Sequence, residues 1–312
     1  MHGRAEEEGE VLQGALRGHA RLQFNDFLTK RGIDPKDVLV LRHTPSEAEL
    51  RKVLPWLAAG RTEVFEAYQR AQSPAAEAGM LKRGYVASFI ACDSIRNGCL
   101  FVGLYRRTGG REVLASGFWD VPHFAELRKY GMAGLGEGRD SFHLFDLEPV
   151  PDFWPELRGR LVCEMPEGRN FTRRAEANVF RVEAIHEDSV LEGAMPPWES
   201  LTIPFDELKA LPRKWRAALS QWRGVYFILD RSDGKGYVGS AGGAENLLGR
   251  WETYASNGHG GNEGLKGRDP SNFVFSILQR VSPDMPLDEL TTLESGWKVR
   301  LHTFDHGLNR NR

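Results

Sequence analysis

Residues 224–251, GVYFILDRSDGKGYVGSAGGAENLLGRW, limit what this chain can fold into more than any other stretch. The run from Gly224 to Asp230 is β-branched and aromatic, and the Asp233-Gly234 pair that follows is a strong short-range hairpin signal. Residues 236–240, GYVGS, return as a second strand. After an Ala-Gly-Gly-Ala turn, Leu247, Leu248, Trp251 and Tyr254 recur at helical spacing until Asn257-Gly258 stops the helix. Further on, NFVFSILQRV (272–281) reads as a third strand, and Leu287, Leu290, Leu293, Trp297 and Leu301 form one face of a final helix.

These elements bring chemistry together. Side chains alternate along strands, so Tyr226 and Tyr237 on paired strands share one surface where the register allows it. Arg250 and Tyr254 are four residues apart and lie on one helix face. Glu294 flanks the last helix's apolar stripe, and a half-shielded carboxylate there suits a metal ligand. The glycines of GSAGGAENLLGR suggest a phosphate-cradling loop at a helix start. That reading is weak, because the Gly-Lys-Ser/Thr ending is missing and the preceding strand belongs to a hairpin rather than a βαβ unit.

With GVY at 224–226, YVG at 237–239, Arg250 on the next helix, Glu294 on a later one and Asn309 near the end, residues 222–312 resemble the GIY-YIG endonuclease family. NGHGGN (257–262) is similar to bacterial members of that family, without an assignable role. The resemblance implies a three-stranded antiparallel sheet flanked by helices, and hydrolysis of a nucleic-acid phosphodiester. It implies one Mg²⁺ (or Mn²⁺) ion per active site, held by Glu294, with Tyr226, Tyr237, Arg250, Tyr254, His259 and Asn309 as catalytic candidates. The general base stays open. Some relatives carry His where Tyr254 stands and Lys where Ser240 stands, and His259 competes because an ordinary imidazole titrates near ~6.5. Taken singly, each residue has a plainer role: half-buried strand tyrosines, a helix-capping arginine, a solvated glutamate, or an asparagine ordering the tail.

The rest of the chain sets the context. Its 312 residues are enough for two domains, and a net charge of −2 provides no global basic field, so nucleic-acid contacts must be local. No apolar run approaches the ~20 residues of a membrane span. The polar, acidic start does not read as a signal peptide. The three cysteines, Cys92, Cys99 and Cys163, include no short Cys-X-X-Cys pair, which points to a reducing, cytoplasmic setting rather than to disulfides or a zinc knuckle.

The expected class is α/β (α+β): a disordered tail over 1–22, a target-recognition domain over 23–191, a proline-rich connector over 192–221 (Pro196, Pro197, Pro204 and Pro212) and the GIY-YIG domain over 222–312. Helical patterns at 46–58 and 62–82 precede strand patterns at 85–92, 99–107, 160–165 and 177–185. This helical plus β-rich domain is compared with the PUA-like modified-base binders. Arg169, Arg173 and Arg174, with Arg158 and Arg160, cluster about the PEGRN turn, and Lys214 and Arg216 stand near the connector's end, as candidate DNA contacts. A solvated charged face explains them equally well. Tyr85, Trp119, Trp154 and Phe171 are candidates for a pocket around a flipped base, or simply core.

The function expected is a DNA endonuclease in restriction or foreign-DNA defence, its target read by the N-terminal domain. Cutting both strands requires a homodimer or sequential nicking. The alternatives are a repair or recombination nuclease, or a protein that grips nucleic acid on this fold without cutting it.

Overall fold

The computed structural model describes residues 21–92, 97–168, 170–244 and 246–310. Residues 1–20 of the expected tail and Arg169 lie outside them. The described chain is a mixed α/β protein with two sheets, and none of its helices is long and apolar enough to cross a membrane.

The chain forms two compact units that interleave. One holds the residues up to Thr44, Gln69–Ala115 and Gly138–Ser189, and the other holds Pro45–Tyr68, Ser116–Glu137 and Val190–Arg312. Consecutive segments split at 192–221 are expected from the sequence; the structure differs because helix-bearing insertions join the C-terminal part through specific contacts. Lys52 reaches the buried Glu207 at 2.8 Å. The Trp56 and Trp215 rings meet edge-on at 5.0 Å, and Arg61 pairs with Glu126 at 3.1 Å.

The first unit is built on a seven-stranded sheet. Strands β1 (Val38–His43), β2 (Tyr85–Ala91) and β3 (Gly98–Leu114) lie side by side. Strands β4 (Ser141–Pro149), β5 (Leu161–Glu164), β6 (Thr172–Arg174) and β7 (Arg181–Ile185) complete the order β6-β1-β2-β3-β5-β7, with β4 also on β3. Among the described strand pairs of this sheet, only β1–β2 is parallel. The long β3 curls the sheet by changing partners, pairing β2 and β5 near its start and β4 from Tyr105 onward.

Helix α1 (Phe24–Lys30) closes the core, where Phe24 packs against Phe89, Phe101 and Phe153 with centroids 5.1 to 6.0 Å apart. Cys99 and Cys163 face each other across β3 and β5 as buried free thiols, and burial pushes the Cys99 thiol up to about 12. Strand β1 was not expected: its buried Val38–Leu41 run is too short and too uniformly apolar to show a period.

In the second unit, helices α2 (Ala48–Gly60), α3 (Thr62–Gln69) and α5 (Phe124–Lys129) join a four-stranded antiparallel sheet; α4 (Pro74–Met80) belongs to the first unit. The sheet order is β10 (Lys235–Ala241), β9 (Arg223–Asp230), β11 (Phe273–Val281), β8 (Thr202–Pro204). Three strands were predicted; the fourth comes from the supposed connector, where Ile203 pairs Phe275 and Pro204 ends the strand at the sheet edge, where a missing N–H is tolerated. Pro212 stands just before the short α6 (Arg213–Leu219).

Helix α7 (Asn246–Asn257) covers one face of this sheet with Trp251 and Tyr254, both fully buried. Helix α8 (Leu287–Arg300) covers the other, where Val225, Val238 and Leu290 form a small core with Leu293 and Trp297. The ends of its predicted stripe are exposed, Leu287 at 63% and Leu301 at 40%.

In the first unit His43 is buried, and burial pushes its imidazole down to about 4 against a supporting hydrogen bond from Gln69. Above about pH 6.5 the group is neutral whether folded or not. As pH falls from there to about 4, the unfolded chain takes a proton that the fold refuses, so stability drops by about 3 kcal/mol. Urea melts across this range should show that loss, and His43→Gln should flatten it.

Candidate active site

The hairpin register decides which side chains meet. Tyr226 pairs with Gly239 and Tyr237 with Ile228, so the two tyrosines lie diagonally on one face. The Tyr226 ring crosses β10 directly over Gly239, where an added Cβ would stand 2.4 Å from the Tyr226 hydroxyl and 2.6 Å from Cζ. The glycine of YVG is therefore a packing requirement of the tyrosine of GVY.

Helix α7 lays its buried face on these rings. Tyr254 shares a hydrogen bond of 2.8 Å with the Tyr226 hydroxyl. Arg250, one turn earlier, donates from Nε to the same hydroxyl at 3.3 Å, and its guanidinium lies 5.5 Å from the centre of the Tyr254 ring. Trp251 supports Tyr226 edge-on from behind.

The NGHGGN loop completes the network through a residue the sequence did not single out. Asn257 Oδ1 accepts from the backbone N–H groups of His259 and Gly260, and Gly258, Gly260 and Gly261 all have positive φ. That winding delivers Asn262 to the tyrosines: Tyr237 donates to its Oδ1 at 2.8 Å, and its Nδ2 donates to Tyr254 at 2.8 Å. The three left-handed glycines followed by an amide were the available signal. His259 instead accepts from the Gly261 N–H through Nδ1, inside the loop, and it is not among the residues lining the cavity described next.

Tyr237, Arg250, Asn262, Glu294, Lys298 and Asn309 line a cavity of about 240 Å³, together with Ser240 and the charged Glu263 and Arg310. Ser240 lies on the opposite sheet face from Tyr237 and Gly239 and hydrogen-bonds Glu294 Oε2. Glu294 Oε1 is 2.6 Å from the Lys298 ammonium. Asn309 lies beside the edge strand, its Oδ1 accepting from Val238 N–H and its Nδ2 donating to the Val238 carbonyl, both at 2.9 Å.

Burial pushes the phenols of Tyr226, Tyr237 and Tyr254 above the ordinary tyrosine value; at Tyr237 the neighbouring Tyr254 and the Glu294 carboxylate add to this by opposing a phenolate. All three are neutral at neutral pH. Arg250 stays charged although burial opposes it, because the surrounding phenols favour the cation.

The donor set suits one hard cation. Glu294 offers a shielded carboxylate beside a cavity with room for several waters, and Mg²⁺ commonly keeps its waters and takes one or two carboxylates. No group of three His, Cys, Asp or Glu residues poised for a metal exists among the described residues, so a closed tetrahedral zinc site does not fit here.

Among the described residues, the candidate DNA contacts are not part of this cavity's lining. Arg173 donates to the Glu167 carbonyl at 3.1 Å, Arg174 is 64% exposed, Lys214 is exposed, and Arg216 is ion-paired with Glu252. Arg158 and Arg160 donate to backbone carbonyls. Of the four aromatics proposed for a base pocket, Trp119 belongs to the second unit and the other three to the first. Tyr85 and Trp154 pack on the first unit's core, and Phe171 is 47% exposed.

Compared with known proteins, the chain matches no family model, no curated protein and no solved structure.

Gly239→Ala should cost about 1–3 kcal/mol, the usual penalty of overpacking. Gly243→Ala, where an added Cβ meets nothing within 4 Å, should be near neutral. Denaturant melts of the two variants check this.

Proposed function

We propose that this protein is a divalent-metal-dependent DNA endonuclease with a GIY-YIG active site, acting in restriction or foreign-DNA defence. The observation that carries the proposal is that Tyr237, Arg250, Glu294 and Asn309 line one small polar cavity, with the buried Tyr226 and Tyr254 hydrogen-bonded to each other and Tyr226 to Arg250.

In this reading Arg250 holds a non-bridging phosphate oxygen with a guanidinium whose orientation is already fixed by Tyr226 and the Tyr254 ring. Glu294 holds the cation. When bound, Mg²⁺ or Mn²⁺ neutralises charge on the phosphate and on the leaving oxygen. Tyr237 stands at the cavity wall with its proton committed to Asn262, so its oxygen is free to accept from an attacking water. Serving as general base requires a phenolate, which burial opposes and the Arg250 charge favours.

The first unit, with Arg173 and Arg174 on its surface, would read the target, a modified base included, in the manner of a PUA-like domain. Double-strand cutting by so small a site calls for a homodimer or two successive nicks. The ion pair between Glu294 and Lys298 favours a second reading, a protein that grips DNA on this fold without cutting it.

Purified protein with Mg²⁺, given matched unmodified and cytosine-modified phage DNA, distinguishes the two. The nuclease reading expects cutting that EDTA abolishes and that Glu294→Ala lowers about a thousandfold; metal-independent binding without cutting supports the second. Single-turnover rates separate the bases: a buried tyrosine base gives a log rate rising with a slope of about one to beyond pH 9, whereas an ordinary imidazole base levels off above about pH 7.

A further inference from the structure

Lys298 stands one turn beyond Glu294 on α8, and its ammonium is 2.6 Å from Glu294 Oε1. Such a pair on a helix surface contributes little. This one is not on the surface: the two side chains are only 11% and 15% exposed, and both line the cavity that holds Arg250. The other carboxylate oxygen is taken by the Ser240 hydroxyl. Both oxygens that a cation would use are thus engaged by the protein's own donors.

We infer, on the nuclease reading, that Lys298 is the resident counter-ion of the metal site, neutralising Glu294 until a divalent cation displaces it. A partly buried carboxylate with no cation beside it would carry a desolvation cost, which the lysine offsets. The geometry also gives the displaced ammonium somewhere to go. Its Nζ is already 5.6 Å from the centre of the Phe304 ring. Lys298 also borders a second cavity of about 430 Å³ lined by His302, Phe304 and Asp305, where an aromatic face and a carboxylate can receive a cation. Lys298 is a positioning residue here: it acts through Glu294 and sets how much metal the site needs.

Direct Mn²⁺ binding, followed by the electron paramagnetic resonance signal of the free ion, tests this without DNA. Lys298→Met should bind Mn²⁺ at least about tenfold more tightly than the wild type, because the competing charge is gone. Lys298→Arg, which keeps the charge, should stay near the wild type. Glu294→Gln should remove the site in every background. Circular dichroism reports folding, and Lys298→Gln replaces the Met variant if that one does not fold. Binding that Glu294→Gln abolishes but Lys298→Met leaves unchanged or weaker overturns the inference while the nuclease reading stands. No Mn²⁺ bound at Glu294 in any variant overturns both.

Discussion

The arrangement of the candidate site depends on how strand β10 is finished at the edge of its sheet. An edge strand presents unpaired N–H and C=O groups that invite other strands. Here the Asn309 amide meets both backbone groups of Val238, and the Leu308 N–H donates to the Gly236 carbonyl at 2.8 Å. The C-terminal segment thereby takes the place of a fifth strand with only a few residues. Among the described residues this cover is short, and helices on opposite faces of the sheet can both reach around β10: Arg250 comes from α7 on one face, and Glu294 and Lys298 from α8 on the other. In the interior of the sheet, neighbouring strands would keep those groups apart.

Within the cavity the polar groups restrain one another. Tyr226 accepts from Arg250, Tyr254 accepts from Asn262, and Tyr237 donates to Asn262, so each ring is fixed by at least one hydrogen bond in addition to its packing. Three cations, Arg250, Lys298 and Arg310, stand against two carboxylates, Glu263 and Glu294, which leaves the cavity lining with an excess of one positive charge. Such a lining would favour a phosphate even though the whole chain has a net charge of −2. Fixed donors around a shaped polar cavity need little rearrangement when charge develops on a bound phosphate.

The local elements of the C-terminal third were legible because hairpin, helix and strand signals there agree with each other and with their tertiary setting. The order Tyr226, Tyr237, Arg250, Tyr254, Glu294 was legible for the same reason: it depends on strand alternation and helix spacing. Asn262 was not, since its position depends on three positive-φ glycines that wind a loop in a way no periodicity describes. Lys298 was not singled out, because a lysine one turn beyond Glu294 on a helix carries no signal of its own without the cavity that both line. The interleaving of the two units escaped as well, because it rests on single contacts such as Lys52 with Glu207 and Trp56 with Trp215, between residues far apart in sequence.

The central claim is that a DNA phosphate is held at the β10 edge between Arg250 and Glu294. The most direct measurement is a crystal structure of the Glu294→Gln protein with a DNA duplex, a variant expected to bind without cutting. The account predicts a backbone phosphate inside the cavity, with a non-bridging oxygen on the Arg250 guanidinium and Tyr237 facing the scissile phosphorus. A duplex bound with its nearest phosphate outside that cavity would contradict it.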